Sequence, residues 1–246
     1  MLFAIVLSGC FGPFDPSDPP PSRTSDPDET VTTSTNGLVA WWTCNDTGRQ
    51  LTDTLGNYNG TMIDCSSDSG IEGGAIRMNG STSYIAVNNS DEVNPFYFDQ
   101  GDFTVSVWVL PEIVLQKPDS VRYDIVALGE AKESGFVLTI NQNKFAVILG
   151  EYMVLSSDDD FPANANKWRH VVLTRSDGEV SLFIDNTLVL SFDNTTSISF
   201  SESLPLMIGI SSRSDYRYQG LIDEIKILNT AWGATDVSRE YGRFGS

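Results

Sequence analysis

The stretch Gln219-Gly220-Leu221-Ile222-Asp223-Glu224-Ile225-Lys226-Ile227-Leu228, close to the C-terminus, reads as a β-strand around which the rest of the chain can be ordered. Alternate strand residues share a face, so Leu221, Asp223, Ile225 and Ile227 are expected on one side and Ile222, Glu224, Lys226 and Leu228 on the other. One carboxylate then falls among aliphatic side chains. A carboxylate removed from water is costly unless a cation, a metal or backbone N–H groups satisfy it, so Asp223 requires a partner.

The segments before it have the same character. Leu38 to Cys44 is apolar throughout, as a strand covered on both faces would be. Ala75-Ile76-Arg77-Met78 and Tyr84-Ile85-Ala86-Val87 flank Asn79-Gly80, a tight-turn signal. Phe103 to Val109 places Phe103, Val105, Val107 and Val109 on one face. Gly135 to Ile140 and Lys144 to Leu149 read as strands joined by Asn141-Gln142-Asn143, and Trp168 to Thr174, Val180 to Ile184 and Leu188 to Phe192 follow, with turns at Asp177-Gly178 and Asp185-Asn186. Only Trp232 to Tyr241 has helical character, as a short terminal helix packing on a sheet edge. Short strands at regular spacing without intervening helices predict an all-β fold, an antiparallel two-sheet sandwich forming one domain over residues 37–246.

The chain carries 33 acidic against 15 basic residues, a net charge of −18 that repels phosphate backbones and anionic membrane surfaces, so no nucleic-acid partner is expected. The acidity serves solubility, or supplies oxygen ligands for a hard cation such as calcium. Leu2 to Leu7 is too short to span a membrane but suits a signal-peptide apolar region, and Leu7-Ser8-Gly9-Cys10 resembles the lipobox of bacterial lipoproteins, which implies lipidation of Cys10. No basic residue precedes the apolar run, as it would in a full signal peptide. Residues 1–9 are thus expected as signal peptide, and residues 10–36, rich in Pro, Asp, Ser and Thr, as an extended tether. The expected location is the bacterial envelope, at the outer membrane or cell surface, with lipid as the only membrane contact and a monomeric state. In an exported protein, Cys44 and Cys65 remain as an even pair and are expected as a disulfide.

Several phrases in order resemble LamG-like, concanavalin A-like lectin/glucanase jelly-roll domains. They are Leu38-Val39-Ala40-Trp41-Trp42, Asp53 to Thr61, Met78 to Ile85, Phe103 to Pro111, Trp168 to Thr174, Leu182-Phe183-Ile184-Asp185 and Ile222 to Ile227. The resemblance implies a jelly-roll β-sandwich used for binding, adhesion or hydrolysis. It also implies that the loop after the first strand approaches the closing strand and can hold structural Ca2+, with Asp53, Asn57 and Asp223 as ligands and Asp46 a weaker one. The alternative for Asp223 is backbone N–H donors without metal.

The glucanase branch of the fold uses alternating acidic residues along one strand, and this chain has no E-x-D-x-E run. Asp158-Asp159-Asp160 lacks the glycine and distal glutamate of an EF-hand loop, and His170 has no neighbouring catalytic partners, which suits a structural histidine. Trp41, Trp108 and Trp168 match core positions of the resembled family. No catalytic function is therefore expected, and carbohydrate binding is, with a protein-contacting or structural surface module as the alternative. Sugar binding calls for aromatic faces and converging polar groups, which Asp215, Tyr216, Arg217 and Tyr218 offer on one loop and Tyr58 on another.

Overall fold

The computed structural model describes residues 35–87, 94–112, 122–130, 134–150, 152–155, 162–163, 166–194, 205–211 and 216–245. The signal segment, Cys10, residues 11–34 of the tether, Asp158-Asp159-Asp160 and Asp215 lie outside them. Tight turns set the strand order. Gln142 and Asn143, Asp177 and Gly178, and Asp185 and Asn186 all have positive φ, between 48° and 88°, as hairpins that match the right-handed strand twist require.

The strands are β1 (Leu38–Trp42), β2 (Gln50–Leu51), β3 (Gly60–Ile63), β4 (Ser66–Ser69), β5 (Gly74–Asn79), β6 (Tyr84–Val87), β7 (Phe103–Pro111) and β8 (Arg122–Glu130). There follow β9 (Ser134–Asn141), β10 (Lys144–Leu149), β11 (Tyr152–Leu155), β12 (Arg169–Ser176), β13 (Glu179–Ile184), β14 (Thr187–Asp193), β15 (Leu206–Ile208), β16 (Gln219–Leu228) and the helix α1 (Ala234–Phe244). They form two sheets. The first, sheet A, runs β14-β13-β12-β7-β16-β5-β4, with β1 also on β16; the second, sheet B, runs β11-β10-β9-β8-β15-β6-β3-β2. The side chains between them form the core. Val105, Val107, Val109, Leu173 and Ile184 of sheet A meet Ile85, Leu128, Phe136, Leu138 and Val147 of sheet B there, all at most 1% exposed. The expected all-β, two-sheet jelly roll with a short terminal helix is the fold observed.

Strand β16 departs from simple alternation. Asp223 pairs with Trp108 of β7 and Lys226 with Ser106, so Glu224 and Ile225 together stand opposite Val107, and Glu224 takes φ 48°. This is a β-bulge, and it shifts the phase of the strand by one residue. Ile222, Ile225 and Ile227 all enter the core, while Asp223, Glu224 and Lys226 go to the outer face. Asp223 is therefore not among the core aliphatics, where strict alternation had placed it.

The helix α1 covers that outer face rather than an edge. Gly233 is its N-cap and its N–H donates to Asp236. Tyr241 stacks on Trp108 at 5.7 Å, Phe244 meets the same indole edge-on at 6.0 Å, and Val237 packs with Val172, Phe183, Leu228 and Trp232. Trp108 is thus buried under the helix, Trp41 lies half-buried beside Lys226, and Trp42 is the tryptophan of β1 that enters the core. Lys226 is fully buried; its Nζ is paired with Glu240 of α1 and lies 3.7 Å from Glu224, 4.5 Å from the Trp41 ring centre. The Trp41 indole N–H donates to Glu224 at 2.8 Å. Each buried charge has an opposite charge or donor, without which it would be strongly destabilising.

Two buried groups on this face titrate in opposite senses. His170 stacks on Trp108 at 4.9 Å and meets Ser106 Oγ through Nε2 at 2.9 Å; burial, then the Lys226 charge, lowers its pKa to about 3. Burial pushes the Asp223 carboxyl up to about 7, with Glu224 adding to the shift and the N–H groups of Glu72, Glu224 and Ile71 opposing it. Between about pH 5 and 6 the unfolded chain binds the histidine proton and the folded chain does not, so His170 makes stability rise with pH by about 1.4 kcal/mol per unit. For Asp223 the folded chain holds the extra proton, and stability falls with pH by about the same slope. The H170Q variant is expected to lose stability as pH rises from 5 to 6 and D223N to gain it, against a flatter parent, in urea unfolding at each pH.

Candidate functional site

The acidic residues expected to bind calcium are already committed. Asp53, 2% exposed, accepts the N–H groups of Trp41 (2.9 Å) and Leu55 (3.2 Å) on Oδ1, and those of Asn57 and Tyr58 (both 3.1 Å) on Oδ2. Asp223 accepts Ile71 N–H (2.9 Å) and Glu72 N–H (3.3 Å) on Oδ2 and Glu224 N–H (2.8 Å) on Oδ1. Asp46 clamps Thr52 through its N–H and hydroxyl. Asp53 thus closes its own loop onto β1, while Asp223 fastens the turn before β5. Among the described residues no three His, Cys, Asp or Glu side chains gather around a point a metal would occupy. Backbone N–H groups satisfy both carboxylates, which is the alternative the sequence left open for Asp223. The D53A variant, stranding four N–H groups, is expected to lose about 3–5 kcal/mol, equally with calcium or a chelator in urea unfolding.

The expected disulfide is not formed: Cys44 and Cys65 are free thiols. Cys44 follows β1 of sheet A and is buried beside Asp223 and Glu224, and burial raises its pKa well above normal. Cys65 follows β3 of sheet B, donates to the carbonyls of Ile63 (3.2 Å) and Tyr84 (3.5 Å), and is pushed up to about 11, chiefly by burial. Cys44 thus follows a strand of one sheet and Cys65 a strand of the other. Alkylation without reductant is expected to label both when the chain is denatured and to leave Cys44 unlabelled in the native protein.

The loop singled out for sugar binding divides. Tyr218 is fully buried and its hydroxyl donates to Leu221 O (3.2 Å), so it belongs to the core and presents no face to a ligand. Tyr58 packs edge-on to Phe96 at 5.3 Å. It precedes the Gly60 end of β3, whereas Arg217 stands over Tyr84, which pairs with Ile63 at the other end, roughly 10 Å along the strand. Tyr58 and the 216–218 loop are therefore not brought together. Tyr216 and Arg217 remain partly exposed, and the structure adds partners to them from β6 and β8.

Residue 217 bridges to Asp124, and Asp124 N–H donates to Tyr216 O (3.1 Å), which lays the loop along β8. Arg122 forms a two-point pair with the fully buried Asp124 (Nε to Oδ1 2.9 Å, Nη2 to Oδ2 3.2 Å) and also donates to Ser211 Oγ. This fork holds the guanidinium 4.5 Å from the Tyr216 ring centre. Arg217 lies 5.5 Å from the Tyr84 ring centre and donates to Thr82 O (3.1 Å). The result is a patch on the outer side of sheet B with two guanidinium–tyrosine pairs, one anchored from beneath by the buried Asp124 carboxylate and the other by the Thr82 carbonyl. Such pairs are stabilised by the ring quadrupole and keep both groups in fixed positions. Arg122, Asp124 and Tyr84 were absent from the sequence expectation. The signal available was the polar residues Arg122 and Asp124 two apart at the start of a strand that is apolar from Ile125 to Leu128.

Comparison with solved structures finds the same fold in several binding domains. The binding domain of Paraclostridial Mosquitocidal Protein 1 is 18% identical over 85% of this chain and 52% of its own, with a TM-score of 0.69. Domain 4 of AbnA, an extracellular arabinanase of Geobacillus stearothermophilus, solved with arabinotriose, is 18% identical over 82% of this chain and 96% of its own, with a TM-score of 0.62. The ligand binding domain of botulinum neurotoxin serotype D, solved with N-acetylneuraminic acid, is 17% identical over 84% and 51%, with a TM-score of 0.66. The chain thus spans about half of the two toxin domains. No curated protein sequence matches it. The profile of the concanavalin A-like lectin/glucanases superfamily matches residues 79–238, from the turn before β6 into α1 and well over half of the sequence. By fold and by this match, the chain belongs to the concanavalin A-like lectin/glucanase superfamily.

Proposed function

We propose that the domain is a non-catalytic carbohydrate-binding module, and that its glycan lies across Tyr84, Arg122, Tyr216 and Arg217 on the outer side of sheet B. The observation that carries this reading is the pair of guanidinium–tyrosine contacts, Arg122 on Tyr216 held by Asp124 and Arg217 on Tyr84 held by Thr82 O. Tyrosine rings and hydroxyls with fixed N–H donors match the alternating C–H and hydroxyl surfaces of a sugar. The arabinotriose and N-acetylneuraminic acid complexes of domains with this fold support the class of ligand. The adjacent carboxylates Asp223 and Glu224 are 0% and 4% exposed and committed to N–H donors, which supports binding over hydrolysis. In the same reading the chain is an exported lipoprotein, anchored by lipid at Cys10 on a tether reaching to residue 36.

On a broad glycan array, retention of the soluble domain is expected to fall at least tenfold in Y216A and R217A, with thermal stability kept within a few degrees. Tyr218 is a core residue, so Y218F, which removes only its hydroxyl, is expected to alter stability without altering which glycans are retained. Absence of retention on such an array, together with sugar-insensitive capture of a protein partner, would overturn the carbohydrate reading in favour of a protein-contacting module.

A further inference from the structure

A second concave site lies on the opposite sheet. Thr174, Ser176, Glu179, Ser181 and Phe183 of β12 and β13, with Ala231, Trp232 and Gly233 ahead of α1, line a cleft of about 210 Å3. Register explains the lining: Thr174 pairs with Ser181 and Ser176 with Glu179, and all alternate with core residues, so their side chains share the outer face of sheet A. Ser191 of β14 donates to Glu179 Oε1 (2.5 Å) and orients that carboxylate. Trp232 is 4% exposed, yet its indole Nε1–H has no hydrogen-bond partner among the described residues. A buried donor left without an acceptor is destabilising, and a native structure that keeps one calls for an explanation such as a ligand or water.

We propose that this cleft is a second binding site, taking one neutral sugar ring. The volume is below the roughly 300 Å3 at which pockets for larger ligands begin, which limits the occupant to a single ring. Thr174 spends its hydroxyl on Phe103 O, which leaves the two hydroxyls of Ser176 and Ser181 that both donate and accept, one carboxylate that accepts and one indole that donates, a mixed set suited to vicinal hydroxyls. Phe183 and Trp232 supply apolar surface for a C–H face. Glu179, in a chain of net charge −18, disfavours a uronate or a phosphate. The site shares no residue with the patch on sheet B.

The test is a titration of the 15N-labelled soluble domain with the methyl glycosides of glucose, galactose, mannose and glucuronic acid. The readout is the indole N–H resonance of Trp232, identified by its loss in W232F. A saturable shift with at least one neutral glycoside, weakened at least tenfold in E179A and unchanged in R217A, is expected, with no shift by the glucuronide. Glu179 is exposed, so E179A keeps the fold; S181A gives an independent loss on the cleft floor. No saturable shift with any neutral glycoside, an equal response to the glucuronide, or a response unaltered in both E179A and S181A overturns the proposal.

Discussion

The extra residue in β16 is the constraint on which the rest of the structure depends. Three strands lean on β16: β7 along one side, β5 against residues 219–222 and β1 against residues 225–228 on the other. One residue too many at Glu224 keeps Ile222, Ile225 and Ile227 in the core but sends Asp223, Glu224 and Lys226 outward. Those charges are then buried by neighbours that exist to receive them. The turn after β4 turns its N–H groups to Asp223, and Gly70 is a glycine because a Cβ there would collide with that carboxylate and with Gly74 O. Helix α1 brings Glu240 to Lys226, and β1 brings the Trp41 indole to Glu224. Removing one partner from such a satisfied network leaves an uncompensated charge, so its members are coupled rather than additive.

Much of this was legible in the residues. The turns at Gln142-Asn143, Asp177-Gly178 and Asp185-Asn186, and the alternation of Phe103 to Val109, led directly to hairpins and a core face that the fold reproduces. The need of Asp223 for a partner was legible too, though not which partner: a bulge is set by which residue of a neighbouring strand goes unmatched, and period-two alternation within one strand carries no trace of that. The same limit hid β8, whose bulge between Asp124 and Val126 breaks its apolar pattern, and with it Arg122 and Asp124. Tyr218 was misplaced because a tyrosine two residues after another reads as loop composition, whereas the chain had already turned inward towards β16. The cysteine pairing failed for a related reason, since counting residues does not say which sheet each one reaches.

The two outer faces of the sandwich treat charge differently. On sheet A the charges are buried and paired beneath α1, and the surface left open at the foot of the helix is small, polar and negative. On sheet B a buried carboxylate holds a guanidinium that is itself only 12% exposed, fixing a cation beside the Tyr216 ring in an acidic protein. Arg217 adds a second cation without a carboxylate partner among the described residues, beside a tyrosine ring.

The central position of β16 has a consequence for how the chain comes into being. It is the last strand in the sequence yet the middle of sheet A, so β1, β5 and β7, made more than a hundred residues earlier, have no common neighbour until it appears. During synthesis from the N-terminus the first sheet would remain in separate pieces, with its aliphatic face open, until residues beyond 228 are available to bring in α1 as well. Contacts of such long sequence separation slow folding and favour an all-at-once closure late in the process. In a chain of this topology the first sheet is completed only when its last strand has arrived.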